Sequence, residues 1–305
     1  MTDAALSHAS EMPRPQSLRG QLWGQFRRHT GGLIGLIVFL FIVLSVYIGP
    51  LLHTVDPNKI NIREKNQGPS LAHPFGTDNL GHDLFAQVMA GGQISLAVGI
   101  TAMLISLFVG TLVGVLAGYF RRIDGPLMRL TDLFLALPIL PLLLVITMLF
   151  RDPLRAAFGP ETGIFILIVT VIGITSWMHT ARIVRGDVLT VKSQEFILAA
   201  KSSGMRDYRI VLKHILPNVL SSIMVSATLG IASAIITESA LSFLGLGFPS
   251  DFPTWGRLLY DGVSFLQITP SRVIWPGLAI SLTVLSVNYI GDGIRDALDP
   301  RSLKR

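Results

Sequence analysis

The chain has no cysteine, which excludes disulfides and thiolate chemistry. It is also short of charge. Asp, Glu, Lys and Arg make up 14% of its residues, where a soluble domain carries about 25%. It lacks the Gly-x-x-x-x-Gly-Lys-Ser/Thr loop that cradles nucleotide phosphates, so this chain cannot hydrolyse nucleotide by that route. No Ser–His–acid grouping and no catalytic carboxylate pair stands out, so no catalytic residue is expected. His53, His73 and His82 share a polar segment with Asp56, Asp78 and Asp83, but no His-x-x-x-His spacing appears. That segment reads as turns capped by Asn and Asp side chains, and no metal site is expected. Tandem repeats and low-complexity tracts are absent.

What the chain has in quantity is apolar sequence. Half of its 305 residues are hydrophobic and its mean hydropathy is +0.57. Several runs approach the ~20 residues that cross a bilayer. Six spans are expected, at 31–50, 93–120, 130–150, 162–180, 217–245 and 273–292. Pro138 and Pro141 each remove a backbone donor, so the third span should kink or break near them. Arg151, Asp152 and Arg155 separate it from the fourth. The first run is too long for the ~7–15-residue core of a cleavable signal and has no clean cleavage site, so it is expected to stay as a helix.

Lys and Arg set the orientation. With the N-terminus inside and the spans alternating, eighteen of the 25 fall inside and seven outside. This is a strong positive-inside bias for an N-in, C-in topology. The same basic inner loops account for the net charge of +6, and no nucleic-acid partner is expected. The expected organisation is an inner tail over 1–30 that is at least partly disordered, a first helix at 31–50 and an outer segment at 51–92. A core membrane domain then covers 93–292, with an inner loop at 181–216, and an inner tail closes the chain at 293–305.

Gly110, Gly114 and Gly118 are spaced by four, which puts three glycines on one helix face and lets another helix approach closely. The longest inner loop has its own pattern. Glu195, Phe196, Leu198, Ala199 and Ala200 form a short helical block, and Gly204 suits a left-handed C-terminal position. A second amphipathic piece follows, with Met205, Tyr208, Val211, Leu212 and Ile215 at helical spacing and Arg206, Arg209 and Lys213 between them. Pro217 biases Leu216 away from helix. The result is a helix–elbow–helix on the inner face. Physically, such a segment could lie on anionic lipid or dock a protein.

This loop resembles the cytoplasmic loop of ABC-type importer permeases, whose pattern is Glu-Ala-Ala, three residues, Gly, nine residues, then Ile-x-Leu-Pro. Ala199, Ala200, Gly204, Leu216 and Pro217 match at that spacing, while Leu198 replaces the Glu and His214 the Ile. His73 to Leu84, Glu238 to Gly247 with Pro253 to Gly256, and Gly291 to Arg301 are similar to segments of the dipeptide, oligopeptide and nickel branch. The long first outer loop resembles the C-type member of its permease pair. The resemblance runs from about residue 25 to residue 301, with Arg182 and Arg185 preceding the loop. It implies an all-α type I ABC importer (MetI-like) transmembrane domain in a bacterial inner membrane. It also implies a homologous permease partner, two ATP-binding cassette subunits that hold ATP and Mg, and a periplasmic substrate-binding protein. The 195–217 loop would couple the spans to the ATPases. The substrate it implies is a short peptide, with nickel or another small solute as the alternative.

Glu238 is the one acid deep in an apolar span. It therefore faces protein or a watery cavity, or is protonated. A pathway or gate residue and a structural hydrogen bond to a neighbouring helix are its two readings, and its motif looks like a turn at the outer face. Asp132 lies three residues from Arg129, spacing that suits a local ion pair. A self-sufficient secondary transporter would call for an inverted repeat and paired ionisable groups at mid-membrane. The sequence offers Glu238 alone and no evident repeat.

Overall fold

The computed structural model describes residues 23–249 and 251–298. The expectations for 1–22, for Asp299 to Arg301 of the last motif and for the final residues lie outside that range. Ten α-helices are described, with no strand among the described residues. They are α1 (Thr30–Leu52), α2 (Leu84–Tyr119), α3 (Arg121–Ala136), α4 (Ile139–Phe158), α5 (Pro160–Lys192), α6 (Glu195–Ser202), α7 (Asp207–Ile210), α8 (Leu216–Phe243), α9 (Trp255–Val263) and α10 (Ser271–Leu298). A short 3-10 turn occupies Ile62–Glu64, and a π-helical turn at Val211–Ile215 joins α7 to α8.

α1, α2, α5, the continuous run of α7, the π-turn and α8 (Asp207–Phe243), and α10 are each long and apolar enough to cross a membrane. α3 and α4 meet the same test only as a pair bent by 87°. The break expected in the third span near Pro138 and Pro141 is present: 130–150 comprises the end of α3, a break at Leu137–Pro138 and the start of α4. Pro138 has no N–H to bond Phe134, and Pro141 has none to bond Leu137, so the ladder fails at two successive points.

Helical structure also extends beyond three of the expected bounds. α2 begins at Leu84, not 93, because Asp83 Oδ1 accepts from Ala86 N at 2.8 Å and caps it. α5 continues as helix to Lys192, so the first part of the 181–216 stretch is helical. Residues 23–29 of the expected tail carry helical turn bonds such as Arg27 N to Trp23 O.

The centre of the bundle is the contact of α2 with α5, the most extensive between any two helices. Gly110, Gly114 and Gly118 face it. A Cβ on Gly114 would sit 2.7 Å from the Ala181 carbonyl oxygen and 2.8 Å from Val184 Cβ. A Cβ on Gly118 would sit 2.7 Å from Val188 Cβ, and one on Gly110 2.7 Å from the Trp177 carbonyl oxygen. Without side chains in the seam the two backbones close on each other, which is how helices gain packing energy where lipid gives no hydrophobic drive. α8 completes the core through Val219, Ile223, Ala234 and Ile235.

At the outer end, 53–83 forms a compact cap. Asp78 Oδ1 accepts from Leu80 N and His82 N, both at 2.8 Å. Asp83 Oδ2 receives His73 Nδ1 at 2.6 Å and His53 Nε2 at 3.2 Å. Among the described residues, no group of three or more His, Asp or Glu side chains is placed to hold a metal ion.

Candidate functional site

The inner loop is a rigid mount. α6 ends in a Schellman motif, in which Met205 N donates to the Ala200 carbonyl at 3.1 Å and Gly204 N to the Lys201 carbonyl at 3.0 Å. Gly204 has φ +78°. That left-handed angle carries a steric cost for any residue with a Cβ. The chain then turns into α7.

Leu216, which Pro217 biases away from helix, is nonetheless helical at φ −55° and ψ −44°. The π-turn explains this. Leu216 N reaches back five residues to the Val211 carbonyl. The widened turn spares the ring of Pro217 its clash with the carbonyl four residues earlier. The His214 carbonyl is taken up by Asn218 Nδ2 at 2.6 Å.

The loop has two faces. Ile197, Ile210 and Ile215 are fully buried, and Ala200 nearly so, against Val115 and Tyr119 of α2 and Val184 and Val188 of α5. Facing away, Phe196, Leu198, Tyr208 and Leu212 are 44%, 54%, 52% and 60% exposed. Glu195, Ala199, Gly204, Arg206, Arg209, Lys213 and Pro217 are exposed with them, and Leu216 is half-buried. His214 is half-buried beside the Phe196 ring, 6.3 Å between centroids.

Polar contacts lock this mount to the inner helix ends. Tyr119 Oη donates to Asp207 Oδ1 at 2.5 Å. Lys192 Nζ donates to the Tyr119 carbonyl and lies 5.4 Å from its ring centroid, and Lys201 Nζ lies at 5.1 Å. Two ammonium groups thus gather at the C-terminal end of α2, where the helix dipole is negative and the ring face attracts cations. Arg185 grips Asp124 through two bonds of 2.5 and 2.7 Å, tying α3 to α5. Asp132 pairs with Arg182 at 2.5 Å, not with Arg129. α3 packs against α5, and that brings a residue 50 positions away closer to Asp132 than the local partner.

Glu238 is elsewhere. It is fully buried near the outer end of α8, which runs on as helix to Phe243 before turning at Gly245. Its carboxylate takes Ser242 Oγ at 2.7 Å and Ser95 Oγ of α2 at 3.2 Å. Ser95 Oγ also accepts from Trp255 N at 3.2 Å, so the acid ties α2, α8 and α9 together. Sequence reasoning missed Tyr119, Asp207 and Lys192. Their one signal was a Tyr at a membrane–water boundary, where amphipathic rings concentrate.

The architecture matches that of a chain of the MetNI methionine ABC transporter solved in inward facing conformations. The TM-score is 0.55 at 17% identity, over 70% of this chain and 97% of that one. The fold is thus that of a type I ABC importer transmembrane domain. The chain belongs to the family of binding-protein-dependent transport system inner membrane components, whose model matches residues 110–304. A second model, the N-terminal TM domain of oligopeptide transport permease C, matches residues 17–69. The chain is 39% identical to the dipeptide transport system permease protein DppC of Alkalihalophilus pseudofirmus, over 91% of this chain and 88% of the relative. It is 36% identical to the oligopeptide transport system permease protein OppC of Bacillus subtilis, over 100% and 98%. The chain is a multi-pass membrane permease.

Proposed function

We propose that this chain is one of two homologous permease subunits of an ATP-driven importer of dipeptides or oligopeptides. A substrate-binding protein delivers the peptide at the outer face. Two ATP-binding cassette subunits carry ATP and Mg and dock on the 195–217 loop. This chain holds no cofactor and does not itself catalyse hydrolysis.

One observation carries the reading: the loop is anchored on one face and uncovered on the other, where large apolar side chains stand among basic ones. Ile197, Ile210 and Ile215 fix it to α2 and α5, while Phe196, Leu198 and Leu212 project away. A partner seated there moves the inner ends of α2 and α5 when it moves. It shifts the bundle between inward- and outward-facing states by its difference in affinity for the two. The peptide assignment is supported by the kinship with permeases named for dipeptides and oligopeptides.

Reconstitution tests it. The complex in proteoliposomes, supplied with binding protein and internal ATP, should accumulate a labelled tripeptide. Uptake should stop when ATP is replaced by a non-hydrolysable analogue. Peptide uptake independent of ATP, or ATP-driven uptake of nickel with no peptide uptake, contradicts it.

A further inference from the structure

The short turn before α1 closes an apolar groove. Trp23 and Phe26 stack at 5.9 Å between ring centroids, and Arg27 N donates to the Trp23 carbonyl at 3.0 Å. Two contacts hold this turn in place. His29 Nδ1 accepts from Gly32 N at 2.8 Å, which satisfies one of the free donors at the start of α1. Phe26 is buried over the seam of α1 with α10, where Gly32 and Gly293 leave room for its ring. A Cβ on Gly293 would sit 2.8 Å from Phe26 Cε2. Between this aromatic pair, Leu36 of α1, Met224 of α8 and Ile290 and Ile294 of α10 lies a space of about 390 Å³, and every side chain lining it is apolar.

The groove straddles the inner end of the membrane spans. α1, α8 and α10 are all parts of spans. Leu36 lies about 9 Å into α1, and the stretch from Ile290 to Leu298 covers about 12 Å at the end of α10. Trp23 stands before the first turn of α1 and is 53% exposed. Ile37, next to Leu36, is 59% exposed, so the groove is continuous with the lipid-facing side of α1. Left to water, these side chains would be hydrated at a free-energy cost that an acyl chain removes.

The rim of the groove is basic. Arg27 and Arg28 follow Phe26 directly, and Arg27 stands one helical turn beyond Trp23. Both are exposed, and neither makes an ion pair among the described residues. The acids of this region are turned away. Asp292 and Asp296 lie about 200° round α10 from Ile290 and Ile294, two residues on in each case. Asp296 is 3.4 Å from His29 Nε2. Arginine near a helix end holds its charge in the headgroup layer, and tryptophan concentrates at the same level. We propose that the groove holds an acyl chain of one anionic phospholipid, with the phosphate on Arg27 and Arg28. Guanidinium groups take phosphate through paired, charge-assisted hydrogen bonds. A net negative headgroup is favoured over a zwitterionic one, whose own cation offsets the attraction. The lipid fills the angle between α1, α8 and α10 and braces the turn against the bundle.

The test uses the assembled complex in phosphatidylcholine vesicles, with a rising fraction of the lipid replaced by phosphatidylglycerol carrying brominated acyl chains. Bromine quenches tryptophan only at short range, and the difference between wild type and Trp23→Phe isolates the Trp23 emission. Brominated phosphatidylglycerol should quench Trp23 with an affinity about three- to tenfold above that of brominated phosphatidylcholine. Arg27→Ala with Arg28→Ala should bring the two lipids to equal affinity while quenching persists, because the groove itself is untouched. Arg121→Ala with Arg122→Ala, exposed basic residues at the start of α3, should leave the preference unchanged. The proposal is overturned by an absence of quenching with either lipid, by equal affinities in the wild type, or by an undiminished preference without Arg27 and Arg28. It is also overturned by the same loss of preference in both double variants, which would mark diffuse surface charge. The wild-type curves still decide should the Arg27 and Arg28 variant not assemble.

Discussion

Tyr119 Oη donates to Asp207 Oδ1 at 2.5 Å, joining the last residue of α2 to the first residue of α7 across 88 positions of sequence. The bond crosses from the bundle to the loop that we propose couples it to the ATPase subunits. The Lys192 and Lys201 ammonium groups, both over the Tyr119 ring, brace the same joint.

Removing that bond should uncouple transport from hydrolysis. A hydrogen bond to a charged group contributes about 1.5–3 kcal/mol, and this part-exposed one belongs at the lower end. Tyr119→Phe leaves Phe196, Leu198 and Leu212 untouched, so ATPase docking should survive. The peptide imported per ATP hydrolysed should fall several-fold, measured in proteoliposomes. Asp207→Asn should do the same, and the double variant should be no worse than either single one.

Gly204 has room but the wrong angle for a side chain. A Cβ there would meet nothing within 4 Å, yet φ is +78°. Gly204→Ala should cost about 1–2 kcal/mol of local stability, and Gly204→Asn less, since Asn tolerates the left-handed region. Hydrogen exchange of the 195–210 amides reads this directly, as faster exchange in the Ala variant.

The seam between α2 and α5 predicts opposite outcomes for two similar substitutions. Gly114→Ala forces a methyl against the Ala181 carbonyl and Val184, and overpacking of this kind costs about 1–3 kcal/mol. Gly186→Ala, on exposed α5 surface with open space around it, should stabilise by about 0.5–1 kcal/mol. Thermal unfolding in detergent should move down for the first and up for the second.

Glu238 should tolerate a change of charge better than a loss of polarity. Glu238→Gln keeps hydrogen-bonding atoms for Ser95 and Ser242, so it should stay within about 1 kcal/mol of wild type. Glu238→Leu strands those buried hydroxyls at about 1–3 kcal/mol each. The readout is the same unfolding assay, with proteolysis between Phe243 and Trp255 as a check on whether α9 has come loose.

Much of this was legible locally. Spacing by four put Gly110, Gly114 and Gly118 on one face. The missing donors of Pro138 and Pro141 marked the break in the third span, though not its 87° bend. The errors came where a distant partner outcompeted a near one. Asp132 looked matched to Arg129, but the packing of α3 on α5 sets it against Arg182. Leu216 looked excluded from helix by Pro217 until a π-turn made room. Tyr119 and Asp207 carry no mutual signal in sequence, because only the return of α5 alongside α2 brings the loop under Tyr119.

On the function proposed above, the ATPase subunits dock on the uncovered face of the loop. The direct measurement is their affinity for the purified permease pair, wild type against Leu198→Asp with Leu212→Asp. Both side chains are more than half exposed and neither belongs to the buried face. The variant should therefore fold as the wild type does and bind at least tenfold more weakly, while Tyr119→Phe binds unchanged. Equal affinity for wild type and the double Asp variant, with both folded, would contradict the account.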